Sequence, residues 1–518
     1  MTLPFDVLED KIKGCWQGKN IGGVLGAPFE GLRQVNDVTF YTQDLSAGPP
    51  PNDDLDLQLV WLCAAEQYGK NINAHILGDY WLSYIIPNWV EYGTGKSNLR
   101  RGLLPPLSGH VDNPYENSCG CFIRSELWAC LCPGHPEQAV RYAYEDAIVD
   151  HADEGMYAEL FCAAVESAAF VESDRDKLIA IGLSYLPEDC AVAKAIRLVI
   201  RCYGDGLSYL ETRRELFCQF PGTFGIQHTP LRDIKDEFPM AVPGFDAPQN
   251  IGIVLIGWLY GEGDFGKSLC IAVNCGEDTD CTAATLGAIL GIVAGEQALP
   301  KQWLEPVGGV ITTCCINLTT HQLDIAESVE ALSQRIIRLI PTFLGDAVHD
   351  MFTEQRGYSV ETADVLAYDK KPLYLSHTNG SRKPKQLPLS SLATLGPYCV
   401  RFDFTTFYAV LDYQGEPYIA QNTPRKLCLS IFDSGLTGHQ QWADVTIYTP
   451  EGVSIVQGRH FSVPLQNLYE YRAELTFEVL CETILSNRID ILIDISIPGR
   501  HTYGVAKATL FGSGASFN

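Results

Sequence analysis

The spacing of the apolar residues changes once along this chain of 518 residues, and the change limits what each part can fold into. From about residue 5 to residue 345, apolar residues recur every three or four positions, as on one side of an α-helix. Beyond about residue 396 they alternate with polar residues, which is typical of half-buried β-strands. We therefore predict a helical domain over 1–367 and a β domain over 396–518.

The helical spacing is clearest over residues 319–343, where apolar positions follow the i, i+3, i+4, i+7 rule. Strand-like alternation is missing between the helical patterns, so a parallel α/β fold is not expected. The first domain is therefore predicted to be all-α. Similar helical patterns cover about 53–68, 136–149, 156–172, 187–203, 248–260 and 281–294.

The period-two runs predict an antiparallel β-sandwich for the second domain. Turn sequences separate these runs, for example Thr449–Gly452 and Pro498-Gly499. The segment 368–395 is rich in Pro, Ser, Gly and Lys and has no helical period, so we predict a linker there. The alternating runs are 400–404, 473–479 and 491–497.

The charge balance limits the possible partners. The chain has 37 Lys and Arg against 63 Asp and Glu, a net charge of -26. Proteins that bind nucleic acid or anionic membranes need a basic surface, so we expect neither partner. The acidic N-terminal segment does not resemble a signal peptide, and no apolar run reaches the roughly 18 residues of a membrane span. These features predict a cytoplasmic protein whose 18 cysteines are reduced.

Two C-x-C pairs, Cys119 with Cys121 and Cys130 with Cys132, raise the question of a zinc site. The residues around the second pair have a helical pattern, and helical positions i and i+2 face apart. Buried thiols are therefore the preferred interpretation.

Two acidic clusters open predicted helices. Asp278 and Asp280 precede one apolar run, and Asp53 and Asp54 follow Asn52 before another. Such acids either cap and solvate the first helical turn, or they share a hard cation that relieves their mutual repulsion. Two clusters more than 200 residues apart could face each other across a cleft and form a binuclear metal site.

Near the N-terminus, before the cluster of Asp53 and Asp54, glycines recur every four residues. This spacing places them on one face of a helix and permits close backbone approach. Pro28 is expected to end this helix and to present Glu30 in a loop. A loop glutamate is usually solvated, but beside a metal cleft it could act as an acid or base. The glycines are Gly14, Gly18, Gly22 and Gly26.

His151 lies between two predicted helices, in the sequence Asp150–Tyr157. A histidine at such a junction is more often a cap or a hydrogen-bonded core residue. The functional alternative is a polar contact with a phosphate or a ribose of a ligand.

Four segments, in this order along the chain, resemble the ADP-ribosylglycohydrolase family, which includes dinitrogenase-reductase-activating glycohydrolase and the ADP-ribosyl-acceptor hydrolases. The resemblance covers about residues 7–345. It implies an orthogonal all-α bundle with two Mg²⁺ or Mn²⁺ ions at the base of a ligand cleft. The segments are GKNIGGVLGAPFEG (18–31), NDDLDLQLVWL (52–62), the run 123–170, and GEDTDCTAATLGAILG (276–291).

The resemblance also implies roles for individual residues. Glu30, Asp54 and Asp278 match the catalytic acids, and Glu30 belongs to the Gly-x-Pro-x-Glu loop of the family. The implied metal ligands are Asn52, Asp53, Asp54, Asp278, Asp280 and Cys281. The implied substrate contacts are Ser118, Cys119 and Gly120, whose amides would hold phosphate, together with His151 and Tyr157.

We therefore expect a metal-dependent glycohydrolase that acts on an ADP-ribosyl or related ribosyl compound, free or attached to a protein. The chain departs from the family at position 281, because a thiol is a poor ligand for Mg²⁺. The alternative is a non-catalytic nucleotide- or sugar-binding protein in which Cys281 has disabled one metal position. The appended β domain is not part of the minimal family domain, and clustered acids are not found in its sequence.

Overall fold

The computed structural model divides into two compact units, Met1–Lys370 and Lys371–Asn518. The predicted linker, 368–395, lies outside the described residues except for residue 395. No helix among the described residues has the length and apolar character that crossing a membrane requires. The structure describes residues 2–220, 244–317, 323–349, 357–366, 395–404, 407–433, 441–465, 472–484, 487–499 and 503–512.

The first unit is built from helices, as predicted. It also contains a small antiparallel sheet of three short strands, in the order β1-β3-β2, which the sequence analysis did not predict. The strands are β1 (Thr2–Leu3), β2 (Val348–His349) and β3 (Ser359–Glu361). The helices are α1 (Phe5–Gly26), α2 (Asp53–Tyr68), α3 (Ala74–Tyr84), α4 (Val90–Arg100), α5 (Leu107–His110), α6 (Ser125–Leu131), α7 (Pro136–Ala147), α8 (Asp153–Ala169), α9 (Arg175–Ser184), α10 (Ala191–Gly204), α11 (Tyr209–Gln219), α12 (Ala247–Tyr260), α13 (Phe265–Asn274), α14 (Thr279–Ala294), α15 (Lys301–Val307) and α16 (Val329–Leu344).

One predicted helix boundary is wrong. The apolar pattern of 319–343 was expected to form a single helix, but α16 begins only at Val329. The Ser328 side chain accepts a hydrogen bond from the backbone N–H of Ala331, which is a typical N-cap. The residues just before it extend instead, and Ser328 forms an isolated antiparallel bridge with Val310. Residues 319–322 lie outside the described part.

The glycine stripe of α1 packs directly against α14. A Cβ atom at Gly18 would lie 2.0 Å from the carbonyl oxygen of Gly287, and one at Gly22 would lie 2.0 Å from that of Ala283. At the end of α1, a Cβ atom at Gly26 would lie 2.2 Å from the Thr279 carbonyl oxygen. The helices therefore run antiparallel in backbone contact, and the C-terminal end of α1 meets the first turn of α14.

The second unit contains two five-stranded sheets, with the orders β4-β5-β7-β11-β9 and β10-β8-β12-β13-β6. All pairs are antiparallel except β13 with β6. Apolar residues from both sheets, such as Phe477 and Ile493, belong to one buried core, which is the arrangement of a sandwich. The strands are β4 (Cys399–Asp403), β5 (Phe407–Asp412), β6 (Tyr418–Ile419), β7 (Arg425–Asp433), β8 (Gln441–Tyr448), β9 (Val453–Ile455), β10 (His460–Leu465), β11 (Arg472–Cys481), β12 (Arg488–Ser496) and β13 (Tyr503–Gly512).

The contact between α1 and α14 generates the first testable prediction. Gly18→Ala should lower the free energy of unfolding by about 1–3 kcal/mol, because the added methyl group must push two backbones apart. Gly204→Ala is the matched control, since a Cβ atom on this glycine of α10 meets nothing within 4 Å. That variant should be neutral or more stable by up to about 1 kcal/mol. Denaturant titrations measure both, and equal effects would contradict the packing argument.

Candidate functional site

Two loops meet where α1 ends and α14 begins. The backbone N–H of Gly31 donates to the Glu277 carbonyl at 2.9 Å, and the N–H of Glu277 donates to the Leu32 carbonyl at 3.0 Å. The Arg33 guanidinium adds a buried two-pronged ion pair with the Glu277 carboxylate, at 2.5 and 3.1 Å. This pairing holds Glu30 beside the first turn of α14.

The acids of α14 do not cap or solvate that turn. Asp278 occupies the N-cap position, but its side chain makes no capping hydrogen bond within the described residues. Asp280 is only 4% exposed, so it is not a solvated first-turn acid. Instead, carboxylate oxygens of Glu30, Asp278 and Asp280 lie within 4.8 Å of one another. Glu30 is the exposed member of this group.

The second acidic cluster reaches the same place from α2. The Asn52 side chain caps this helix by accepting from the Asp54 N–H at 2.8 Å, and the Asp54 side chain is buried. Ligand atoms of Asp54, Asp280 and Cys281 lie within 4.8 Å of one another. The neighbouring Asp53 is partly buried and accepts from the Tyr92 hydroxyl at 3.5 Å. The two clusters therefore converge, although more than 200 residues separate them.

Mutual repulsion and burial disturb the ionisation of these acids. The charge of Asp280, then partial desolvation and the charge of Asp53, raise the pKa of Glu30 to about 8. Burial, followed by the charge of Glu30, raises the pKa of Asp278 to about 7. Burial raises the pKa values of Asp54 and Asp280 well above the usual range. The charge of Asp280 raises the pKa of Asp54 further, and the charge of Asp278 does the same for Asp280. Without positive charge, the cluster does not ionise completely at neutral pH.

The same carboxylates fit a divalent cation. Asp54 Oδ2, Asp278 Oδ1 and Asp280 Oδ1 are buried and have no hydrogen-bond partner among the described residues. Leaving a buried carboxylate oxygen without a donor is costly. Hard divalent cations take carboxylate oxygens as ligands, so an ion in this cluster would remove both the orphaned oxygens and the repulsion.

Two thiols also face the cluster. Cys119 Sγ lies 2.8 Å from Asp278 Oδ2, and Cys281 Sγ lies 3.4 Å from Asp54 Oδ1. The family resemblance implies only a phosphate-binding loop at Cys119, whereas the structure also places this residue beside the acids. Cys121 and Cys130 are buried, in line with the preferred interpretation of the C-x-C pairs.

The loop containing Ser118, Cys119 and Gly120 uses two of its amides internally. The N–H of Ser118 donates to the Tyr115 carbonyl at 2.9 Å, and the N–H of Cys119 donates to the Phe245 carbonyl at 2.7 Å. These two amides therefore do not point to a ligand in this conformation. At Gly120, a Cβ atom would lie 1.9 Å from a carboxylate oxygen of Glu91, so the glycine permits close approach of that acid.

His151 positions this loop. It is fully buried, with Nε2 at 2.8 Å from Ser118 Oγ and Nδ1 at 3.0 Å from Asp150 Oδ1. Arg124 in turn binds both carboxylate oxygens of Asp150, at 3.1 and 2.8 Å. Nε2 thus has a hydrogen-bond partner, whereas Nδ1 makes no hydrogen bond within the described residues although it lies close to Asp150. Tyr157, also expected at the ligand, is 6% exposed on α8.

Lys19 is a neighbour of the site that the sequence analysis did not select. Its buried Nζ donates to Glu126 Oε1 and to the Ile123 carbonyl, both at 2.8 Å. Its positive charge also opposes the rise of the Asp54 pKa. Lys19 lies one helical turn before Gly23, and a Cβ atom at Gly23 would meet the Asn52 side chain at 2.1 Å, a contact that only the structure reveals.

The raised pKa of Asp278 predicts how pH changes stability in protein stripped of divalent cations. Because the folded state holds this proton more tightly, the free energy of unfolding should fall as pH rises from about 4 to about 7. The loss from Asp278 amounts to up to about 4 kcal/mol, since a tenfold difference in proton affinity is worth about 1.4 kcal/mol.

Asp278→Asn should remove this part of the pH dependence and should exceed the wild type in stability at pH 8. Because other buried acids titrate too, the readout is the difference between the denaturation midpoints of the two proteins across pH. Asp79→Asn, which changes an exposed acid of α3, is the control and should follow the wild type. Parallel curves for the wild type and Asp278→Asn would contradict the prediction.

Comparisons with known proteins show the family of this chain. The family model described as ADP-ribosylglycohydrolase matches residues 5–340. A protein of Archaeoglobus fulgidus, described only as uncharacterized, is 26% identical over 314 residues, which cover 58% of this chain and 92% of that protein. A solved structure named ADP-ribosylglycohydrolase-related protein complex is 20% identical, with a TM-score of 0.41, and covers 65% of this chain and 99% of its own. Because the family match covers more than half of its length, the chain belongs to the ADP-ribosylglycohydrolase family.

Proposed function

We propose that this protein is a divalent-cation-dependent glycohydrolase that cleaves the N- or O-glycosidic bond of an ADP-ribosyl or related ribosyl compound. Family membership supports a glycohydrolase-like activity. The observation that carries the proposal is the exposed Glu30 carboxylate, which lies beside buried acids whose oxygens lack donors among the described residues.

The buried acids would hold the cations. Asp54 on α2, with Asp278 and Asp280 at α14, supplies carboxylate oxygens of the kind that Mg²⁺ and Mn²⁺ prefer, and Asp53 is the further ligand that the resemblance implies on α2. Asn52 contributes less readily, because its side-chain oxygen already accepts from an amide, although one lone pair remains. When bound, such cations orient vicinal sugar hydroxyls and a water molecule.

Glu30 is suited to proton transfer. It is the solvent-facing member of the cluster, so a substrate can reach it, whereas Asp278 and Asp280 are buried. Its pKa of about 8 is close to neutral pH, and this allows it to give or take a proton during a reaction. As charge develops at the anomeric carbon, this carboxyl group can protonate the leaving group or deprotonate the attacking water.

A binding protein without hydrolysis is the second candidate. The contact between Cys281 and Asp54 favours it, because the thiol approaches an oxygen that would otherwise bind a hard cation. Under this hypothesis, the protein retains ADP-ribose or a similar sugar but does not turn it over.

Two variants separate these candidates and generate the next prediction. Glu30→Gln should lower turnover by a factor of about 10² to 10⁴, the usual range for losing a general acid or base, while cation affinity stays close to that of the wild type. Asp278→Asn should lower cation affinity and turnover together, because an amide lacks the ligand charge. Glu305→Gln, which changes an exposed acid of α15, is the control and should resemble the wild type.

The measurement is hydrolysis of ADP-ribosylated peptides and of small ADP-ribosyl compounds, with cation binding followed by calorimetry. Wild-type turnover in both variants would refute the mechanism. If the wild type binds ADP-ribose in a cation-dependent way but hydrolyses none of these compounds, the binding function replaces the hydrolytic one.

An exposed aromatic ring near Asp53 supports a substrate with a planar group. Trp89 is 53% exposed, and its ring stacks on Tyr92 with 6.3 Å between centroids. The Tyr92 hydroxyl in turn donates to Asp53. A flat apolar surface thus lies beside the acids, and nucleobases stack on such surfaces.

Trp89→Ala should therefore raise KM for an ADP-ribosyl substrate by about 10-fold to 100-fold, since stacking of a base on an aromatic ring contributes about 1–3 kcal/mol. The turnover number should change much less, because the reacting atoms are not touched. Trp442→Ala in the β domain is the matched control, since that side chain is 52% exposed. Equal KM values for Trp89→Ala and Trp442→Ala would exclude stacking on Trp89.

A further inference from the structure

We propose that the part of the metal centre bounded by Cys119 and Cys281 binds a thiophilic divalent cation of the Zn²⁺ type through both sulfurs. The part bounded by Glu30, Asp278 and Asp280 would bind a cation through oxygen alone. This inference rests on the metal centre proposed above and specifies which ion it selects.

Both thiols are built into the site. Cys119 is 2% exposed and Cys281 is 7% exposed, and their sulfurs lie within 4.8 Å of each other and of an Asp278 oxygen. They come from different parts of the chain, since Cys119 lies in the loop before α6 and Cys281 in the first turn of α14. Both point at the acids, and Cys281 also groups with Asp54 and Asp280.

The donor set favours such an ion. Magnesium demands hard oxygen ligands, so two sulfurs in its shell are unfavourable. Zinc accepts sulfur and carboxylate oxygen together and is usually four-coordinate in proteins. The two thiols and Asp278 provide three such donors within 4.8 Å of one another, and Asp54 Oδ1 lies 3.4 Å from Cys281 Sγ as a candidate fourth.

A simpler explanation is that the thiols only donate hydrogen bonds to the acids. A thiol is a weak donor, however, and a hydroxyl would serve that purpose better. The two contacts also leave Asp278 Oδ1 and Asp54 Oδ2 without partners among the described residues. A cation bound by the sulfurs and these carboxylates would use all four side chains.

A second thiol cluster must be removed before the test. Ligand atoms of Asp56, Cys314 and Cys315 also lie within 4.8 Å of one another, and Cys314 is exposed. Both backbone amides of this cysteine pair donate to Asp56 Oδ2, which gives the acid a structural role. Cys314→Ser therefore serves as the background for every protein in the experiment.

The experiment titrates the reduced full-length chain, in this background, with Cd²⁺ and with Co²⁺. Ultraviolet absorption from charge transfer between sulfur and metal reports thiolate ligation independently of activity. We expect a band that saturates with the first equivalent of metal. Cys281→Ser and Cys119→Ser should each weaken the band and lower Cd²⁺ affinity at least about 10-fold, while Mg²⁺ affinity should stay or rise.

Cys132→Ser, at a buried cysteine whose sulfur belongs to none of these metal-ligand groups, is the control and should keep the full band. Circular dichroism verifies that each variant is folded, and the two site cysteines provide independent tests. A wild-type-like band in both Cys281→Ser and Cys119→Ser, or no band in the background protein, would overturn the inference. Failure of the proposed hydrolysis is detected separately, in the turnover assay with Mg²⁺ or Mn²⁺, and leaves the sulfur band unaffected.

Discussion

The backbone contact between α1 and α14 is the constraint on which the site depends. Gly18 and Gly287 each lack the Cβ atom that would collide with the other helix, so the two backbones touch. The antiparallel direction then puts the end of α1 at the start of α14. Glu30 and Asp278 are adjacent for this reason, and the hydrogen bonds between their loops fix the remaining freedom. A larger residue in the stripe would therefore disturb both the packing and the alignment of the acids.

Two buried ion-pair networks connect the site to other parts of the helical unit. Lys19 on α1 forms an ion pair with Glu126 on α6, and this contact connects the helix that carries the glycine stripe to α6. Arg124 binds Asp150, whose carboxylate lies 3.0 Å from His151 Nδ1, and His151 contacts Ser118 of the loop that carries Cys119. Buried pairs contribute little net stability, because desolvation offsets their attraction, but breaking one is costly. Their value here is positional, since each network connects segments distant in sequence to the loops that carry the acids.

Much of the fold and part of the site could be predicted from the sequence. The helix over 53–68 has the predicted limits, because an N-cap and a glycine bound a long apolar pattern. The apolar pattern over 319–343 predicted too long a helix, since apolar spacing does not reveal that Ser328 caps the start of α16. The pairing of Glu30 with Asp278 was reached only through family resemblance. The place of Cys119 could not be predicted, because it depends on how the loop before α6 pairs with residues 244–247 in three dimensions.

The charge balance of the cluster supports the proposal that it binds more than one cation. Glu30, Asp53, Asp54, Asp278 and Asp280 would carry five negative charges if all were ionised. The N-terminal ends of α2 and α14 both point at them, but each supplies only about half a positive charge. Lys19 adds a positive charge nearby, but Glu126 on α6 pairs with it. Roughly four negative charges remain, which matches two divalent cations, and any thiolate that joins the cluster increases the excess. The residues proposed to select the ion would therefore also create the need for it.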